Sequence, residues 1–161
     1  MTIRWLLIML VGILQPFESL TVISYNIRYN NPKDGTNIWE NRKATVALLL
    51  NEQKADFVGL QEVVHAQLLD LIPELDSYNY IGIGREDGKT KGEYSPIFYK
   101  KEMYKVLKSN TFWLSETPDV VSKGWDASLE RICTYGLFEN KRSGKKVWVF
   151  NTHFDHKGEV A

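Results

Sequence analysis

The sequence feature that most constrains the fold is a short apolar run that is followed by a single carboxylate. Residues 57–60 are Phe-Val-Gly-Leu, and Glu62 comes shortly after them, before the chain becomes apolar again at Val63. An apolar run of this length, bounded by polar residues, predicts a strand that is buried on both faces. Ligands bind at the carboxyl ends of strands in open α/β sheets. We therefore predict that Glu62 lies at a binding site.

The segments around this run predict alternating strands and helices in the first third of the chain. Residues 20–25 are rich in β-branched side chains, which predicts a strand that ends near Asn26. An apolar stripe in residues 38–53 predicts a helix, and a shorter helix is predicted from residue 65 to about residue 71, before Pro73. This alternation predicts a sheet with helices on its outer face.

Beyond residue 75 the sequence changes to short strand candidates that are separated by turn residues. These candidates are residues 78–83, 95–99, 104–114, 132–139 and 146–152. Residues 85–92 and 141–145 have the composition of hairpin connections. Because so many strands follow two helices, we predict an α/β (α+β) fold of one domain, in which sheet packs on sheet with helices outside.

Length and charge limit the class of protein. The chain has 161 residues, of which 43% are hydrophobic, and this suffices for one domain with a sizeable core. Lys+Arg and Asp+Glu both number 20, so the net charge is zero. No overall basic field therefore attracts nucleic acid by bulk electrostatics. The single Cys133 excludes an intrachain disulfide.

The N-terminus has the pattern of an export signal. Residues 5–14 form an apolar run that is too short to span a bilayer and has the length of a signal-peptide core. We predict a signal peptide over residues 1–19, a mature domain over residues 20–161, and a periplasmic or extracellular location. Phe17 stands where a small residue is preferred at a cleavage site, so an uncleaved membrane anchor and a buried first helix stay open as alternatives.

A polar cluster, Asn-Thr-His-Phe-Asp-His over residues 151–156, closes the last predicted strand. One interpretation makes His153 a hydrogen-bonding or proton-transfer group at a phosphate site, held by a neighbouring carboxylate. A second makes His153, Asp155 and His156 zinc ligands. A third is a polar turn with solvated histidines. Arg131, at the start of another strand, could bind phosphate through its planar guanidinium or form a surface ion pair.

Several short motifs, in this order and spacing, resemble those of the endonuclease/exonuclease/phosphatase superfamily. They are Ser24-Tyr25-Asn26-Ile27-Arg28, Leu60-Gln61-Glu62-Val63 and Asn151-Thr152-His153. Further motifs are similar to those of a bacterial, often secreted subgroup: Tyr94-Ser95-Pro96-Ile97-Phe98-Tyr99, Phe112-Trp113-Leu114-Ser115-Glu116-Thr117-Pro118 and Gly124-Trp125-Asp126. The resemblance implies a four-layer α/β/β/α sandwich and divalent-metal-dependent cleavage of a phosphoester.

The resemblance also implies roles for individual residues. Glu62 matches the Mg²⁺ ligand of the family, with Mn²⁺ as a possible substitute, and Asn26 is expected to help hold metal or phosphate and to take part in catalysis. His153 is expected to lie against the scissile phosphate as a catalytic residue, and Arg131 and Asn151 are expected to bind phosphate. The implied partner is a phosphorylated substrate: nucleic acid, a phospholipid headgroup, a sugar phosphate or a small phosphodiester. No stable protein partner is evident, and a monomer is expected.

The sequence departs from the family pattern in its later motifs. An Asp-x-Asn pair after a glycine, a further Asp and a final Ser-Asp-His are absent from it. We therefore expect the chain to be the N-terminal portion of a family domain, incomplete at the C-terminal side and without the full catalytic set. Such a portion is expected to leave a sheet edge or an apolar face uncovered. A non-catalytic or decayed phosphate-ligand-binding domain and a zinc hydrolase stay open as alternatives.

Overall fold

The computed structural model describes residues 19–161. The signal-peptide prediction concerns a segment that lies, but for its last residue, outside this range, and it stays a prediction. Among the described residues, no helix combines the length and the apolar character that crossing a membrane requires.

Two helices and nine strands make up the described part of the chain. The helices are α1 (Trp39–Gln53) and α2 (His65–Glu74), and a short 3-10 helix covers Gly35–Asn37. The strands are β1 (Val22–Asn26), β2 (Phe57–Gln61), β3 (Val63–Val64), β4 (Tyr78–Ile81), β5 (Glu93–Tyr94), β6 (Ile97–Lys100), β7 (Tyr104–Trp113), β8 (Ile132–Asn140) and β9 (Lys146–Thr152).

The strands form two main sheets and one small one. The first sheet has the order β1-β2-β6-β4, and its β1 and β2 run parallel with Asn26 opposite Gln61. The second sheet, β7-β8-β9, is antiparallel throughout, and residues 141–145 connect β8 to β9 as the predicted hairpin. Strands β3 and β5 pair with each other. Because β1 and β2 are parallel neighbours, their carboxyl ends lie side by side, which places Asn26 next to Glu62.

Strand β2 is buried along its whole length because it has a layer on each face. Val58 and Leu60 point to one side and join the core that α1 and α2 form with the first sheet. Phe57 points to the other side, where its ring lies 4.6 Å from that of Tyr104 and 4.8 Å from that of Phe138, between centroids. The alternation follows the two-residue period of a strand. The result is three stacked layers: helices, first sheet and second sheet.

The predicted four-layer sandwich is thus confirmed in part. A helical layer on the outer face of the second sheet has no counterpart among residues 19–161. That face carries an aromatic cluster of Tyr135, Trp148 and Phe150, with the rings of Tyr135 and Phe150 stacked at 5.7 Å. Trp148 is 46% exposed and Phe150 is 62% exposed. Within the described residues, the second sheet therefore has the uncovered apolar face that is expected of a partial domain.

Two predictions of local structure were wrong. Helix α2 does not end before Pro73 but continues to Glu74, because a proline in the last turn removes only one backbone donor and the N–H of Leu75 still bonds to the carbonyl of Leu71 at 2.9 Å. Residues 85–92 are not the predicted hairpin connection, because the strands on either side of them do not pair with each other: β4 pairs with β6 and β5 pairs with β3. They fold back so that the N–H of Arg85 bonds to the carbonyl of Glu93 at 3.2 Å, at the start of the two-residue strand β5. A strand that short has no period from which it could be predicted.

The side chain of Asn151 joins the two sheets. Its Nδ2 donates to the carbonyl oxygens of Leu60, at 2.8 Å, and Pro96, at 2.9 Å. Its Oδ1 accepts a hydrogen bond from Gln61 Nε2 at 2.7 Å. Gly59 makes this approach possible, because a Cβ atom at that position would lie 2.8 Å from Asn151 Oδ1. This buried amide fixes β9 against the end of β2.

We expect Asn151→Ala to lower the free energy of unfolding by about 2–4 kcal/mol, because it removes three buried hydrogen bonds and leaves a gap between the two sheets. Urea denaturation measures this change. Asn79→Ala, which truncates an exposed asparagine on β4, is the control and is expected to change stability by less than about 0.5 kcal/mol. Equal effects of the two substitutions would contradict the role given to Asn151.

Candidate active site

Glu62 lies where the chain leaves β2, in a left-handed backbone conformation with φ +60°. Its Oε1 accepts a hydrogen bond from Asn26 Nδ2 at 2.9 Å, and its Oε2 accepts one from the N–H of Tyr29 at 3.1 Å. Burial raises the pKa of Glu62, but these hydrogen bonds and the nearby charges of His153 and Arg28 outweigh burial, so its pKa lies below the usual value. The carboxylate is therefore ionised at neutral pH.

The groups around Glu62 fit a hard divalent cation. Glu62 offers an ionised carboxylate, and the adjacent Asn26 offers an amide oxygen, which here accepts a hydrogen bond from the N–H of Arg28 at 2.9 Å. Among residues 19–161, no three His, Cys, Asp or Glu side chains cluster closely enough to hold a metal. Mg²⁺ does not need such a cluster, since it commonly binds one or two carboxylates and completes its shell with water and substrate phosphate. Glu62 and Asn26 are the residues that would hold it.

His153 follows β9 and lines a narrow crevice beside Glu62. The crevice is lined by Arg85, Glu93, Ser95, Glu130, Arg131, Ile132 and His153. The Nδ1 atom of His153 is buried without a hydrogen-bond partner in the described structure, and it lies 4.0 Å from Glu93 Oε2, too far for a hydrogen bond. Burial lowers the pKa of His153 and the charge of Arg131 lowers it further, although Glu62 and Glu93 act in the opposite direction. The neutral imidazole, which can accept a proton, is therefore favoured.

Arg131 is buried beside His153 and forms an ion pair there. This excludes the surface ion pair, which was the second interpretation of Arg131 from the sequence. Its Nε donates to Asp155 Oδ1 at 3.1 Å, and its Nη2 lies 3.0 Å from His156 Nδ1. Hydrogen bonds from the backbone N–H groups of Gly158 and Lys157 hold the pKa of Asp155 well below its usual range. Asp155 is thus ionised and fixes the plane of the Arg131 guanidinium.

The structure does not bring His153, Asp155 and His156 together as zinc ligands. The carboxylate of Asp155 accepts hydrogen bonds from both the N–H and the hydroxyl of Ser128, in addition to those described above. His156 directs its Nδ1 towards the cationic Arg131. The zinc-hydrolase alternative therefore has no support in the described part of the chain.

Asn151, which the family resemblance implied as a phosphate-binding residue, uses its amide between the sheets. Both amide heteroatoms are hydrogen-bonded, and the residue is 7% exposed. Phosphate could bind there only if one of these contacts were broken. The phosphate role stays a prediction, whereas the contact between the sheets is what the geometry shows.

The sequence reasoning missed Arg85 and Glu93, which form a salt bridge in the crevice. Arg85 Nη1 lies 2.9 Å from Glu93 Oε2, and Arg85 is 6% exposed, with its Nε buried and unpartnered within the described structure. The indole N–H of Trp113 fixes the backbone of Arg85 by donating to its carbonyl at 2.8 Å. The available signal was an Arg and a Glu at the two ends of a Gly- and Lys-rich segment, which the composition alone marks as a turn.

No family model matches the chain, but it is similar to several solved structures. The chain is 50% identical to an endonuclease/exonuclease/phosphatase from Bacteroides vulgatus, with a TM-score of 0.86 over 88% of this chain and 54% of that one. It is 46% identical to a mannosyl-6-phosphatase of Bacteroides thetaiotaomicron, with the same TM-score and coverage. It is also 26% identical to the CCR4-Not 3'-5'-exoribonuclease subunit Ccr4 of Mycosarcoma maydis, in a match that covers 84% of this chain and 24% of that protein. The chain thus spans about half the length of these solved relatives.

We expect the imidazole of His153 to titrate below 6.5, the usual value, because burial and Arg131 favour its neutral form. As the pH falls, His153 is therefore protonated in the unfolded chain before it is protonated in the folded chain. His153 therefore contributes stability above about pH 6.5 that is lost as the pH falls towards the folded pKa. NMR titration of the metal-free protein measures the pKa. Because the charge of Glu62 raises the pKa of His153, Glu62→Gln should lower it further, and an unchanged or higher value would contradict this electrostatic picture.

Proposed function

We propose that the chain supplies the metal- and phosphate-binding part of a divalent-metal-dependent phosphoester hydrolase. The basis is that the chain belongs to the endonuclease/exonuclease/phosphatase superfamily. The observation that carries this proposal is the placement of Asn26, Glu62 and His153 at the ends of β1, β2 and β9. An ionised carboxylate, an amide and a neutral imidazole at one end of two packed sheets are the groups that this chemistry uses.

Each residue has a definite task in the proposed reaction. Glu62 and Asn26 would hold Mg²⁺, for which Mn²⁺ could substitute, and the ion would supply Lewis-acid stabilisation of charge on phosphoryl oxygens. His153 hydrogen-bonds the phosphoryl group, and only its protonated form can deliver a proton to the leaving oxygen. Arg131, held in one orientation by its ion pair, donates to the phosphoryl oxygens.

The charges around the crevice make the binding of an anion depend on a bound cation. Arg85 and Arg131 supply two positive charges, and each is already paired with a carboxylate. Glu62 and Glu130 add negative charge, while the lowered pKa of His153 keeps that residue neutral. Phosphate therefore meets excess negative charge until a divalent ion binds. Binding of metal and binding of phosphate are accordingly coupled.

We propose a sugar phosphate as the substrate. The relative with 46% identity is named as a mannosyl-6-phosphatase. A net charge of zero supplies no overall field for the many phosphates of nucleic acid. A single phosphoryl group, in contrast, needs only one local site.

Three further features belong to the proposal. The complete domain is a four-layer sandwich, in which an additional layer covers the aromatic face of Tyr135, Trp148 and Phe150. Residues 1–19 direct export to the periplasm or the extracellular space. The protein acts as a monomer on its phosphorylated substrate.

We expect isothermal titration calorimetry to detect binding of inorganic phosphate in the presence of Mg²⁺ but not in the presence of EDTA. Glu62→Gln should weaken the Mg²⁺-dependent binding at least about tenfold, because the substitution removes the charged ligand of the ion. Glu52→Gln, at an exposed position of α1, is the matched control and should bind as the wild type does. Equal behaviour of the two variants would contradict the metal site.

Release of phosphate from mannose 6-phosphate then distinguishes the functions. Turnover that EDTA and Glu62→Gln both abolish supports the hydrolase. Mg²⁺-dependent binding without turnover is expected of a chain without the later motifs, whereas phosphate binding that EDTA leaves intact would support the non-catalytic phosphate-binding domain. Activity that Zn²⁺ alone restores would favour the zinc hydrolase over the magnesium site.

A further inference from the structure

Trp125 differs from the other tryptophans near the candidate site. Trp39 and Trp113 are 2% and 6% exposed, and their indole N–H groups donate to Asp70 and to the carbonyl of Arg85. Core packing accounts for both. Trp125 is 57% exposed, so core packing does not account for it.

The backbone of Trp125 is in a conformation that bulky residues rarely adopt. Its φ of +48° lies in the left-handed region, where glycine and asparagine are favoured. The preceding Gly124 packs so closely on the carbonyl of Leu114 that no side chain fits there, and its own carbonyl accepts a hydrogen bond from Ala127 at 2.9 Å. An exposed turn of this shape would be more stable with a small residue at position 125. A disfavoured backbone with an exposed aromatic ring is therefore better explained by function than by folding.

The loop that carries Trp125 is held at two points, one on residues 159–161 and one on the carboxylate that pairs with Arg131. The carboxylate of Asp126 accepts hydrogen bonds from the backbone N–H groups of residues 159–161, the shortest at 2.7 Å. Ser128 donates to Asp155 Oδ1, which also accepts from Arg131. Ser128 is three positions after Trp125, so their Cα atoms lie within about 11 Å of each other. The loop that carries the indole is thus tied to the carboxylate that holds the Arg131 guanidinium.

We propose that Trp125 is a specificity-determining residue whose indole packs on the sugar ring of a sugar phosphate bound at the candidate site. The inference rests on the proposed function, in which Glu62, His153 and Arg131 take the phosphoryl group. An indole offers a flat apolar face to the C–H groups of a sugar ring, while the hydroxyl groups of the sugar stay in water. Because the loop is already anchored, little conformational freedom is lost when the ligand binds.

The test compares two ligands in the presence of Mg²⁺: mannose 6-phosphate, which has a sugar ring, and inorganic phosphate, which does not. Trp125→Ala should weaken binding of mannose 6-phosphate by about 3- to 10-fold, the range of aromatic packing energies, and leave binding of inorganic phosphate unchanged. Trp125→Phe should retain most of the affinity. Trp148→Ala, which removes an indole of similar exposure from the outer face of the second sheet, should bind both ligands as the wild type does. Calorimetry measures all four proteins.

The remaining outcomes overturn the inference in distinguishable ways. Loss of affinity for both ligands in Trp125→Ala, or for neither, rules out the sugar contact and leaves the phosphate site in place. Tighter binding of adenosine monophosphate than of mannose 6-phosphate, with that preference lost in Trp125→Ala, would assign the indole to a base instead. If the wild type binds neither inorganic phosphate nor mannose 6-phosphate, the proposed function fails together with this inference. A wild-type urea midpoint for Trp125→Ala shows that its lost affinity is not a folding defect.

Discussion

The hydrogen bond from Asn151 Nδ2 to the carbonyl of Leu60 determines how the two halves of the site meet. Leu60 lies two residues before Glu62, and Asn151 lies two residues before His153. Counted along the sequence, this one buried contact lies two residues from the residue proposed to hold the metal and two residues from the residue proposed to act on the phosphate. Backbone pairing cannot perform this task, because β2 and β9 belong to different sheets. A side-chain amide can, since it supplies both a donor and an acceptor to carbonyl and amide groups that water does not reach.

The same use of fixed polar contacts extends to the two arginines of the crevice. Arg131 is held by Asp155, and Arg85 is held by Glu93. Pairing with a carboxylate reduces the net attraction of each guanidinium for an anion. It also fixes the orientation of the donors, so that little is lost in ordering them when a phosphoryl group arrives. The site thus gains fixed geometry at the expense of net positive charge, and a divalent ion would restore that charge.

Local patterns were sufficient to predict the elements that form the first sheet and its helices. The apolar run at residues 57–60 has the length of a buried strand and polar residues on both sides, and the segment 38–53 has the length of a helix; the superfamily resemblance of the motifs is confirmed by the solved relatives. Arg85 and Glu93 could not be predicted as a pair, because the segment between them has no period and their contact depends on how a loop folds back. The contact of Arg131 with Asp155 spans 24 positions, and no local pattern encodes it. Asn151 shows the opposite difficulty: its motif was identified, but the buried contacts of its amide depend on two sheets meeting.

The left-handed backbone at Glu62 links the stability of this chain to its proposed function. A residue with a Cβ atom is disfavoured at a φ of +60°, and glycine would relieve that strain. Natural proteins sit just above a stability threshold, so single substitutions that raise stability are commonly available and often carry a cost in function. A copy of this domain that had stopped using the carboxylate would therefore have a route to greater stability through a single substitution at position 62. Glycine at position 62 would relieve the strain but would remove the carboxylate on which the proposed metal site depends, so the strain and the proposed function are tied to one residue.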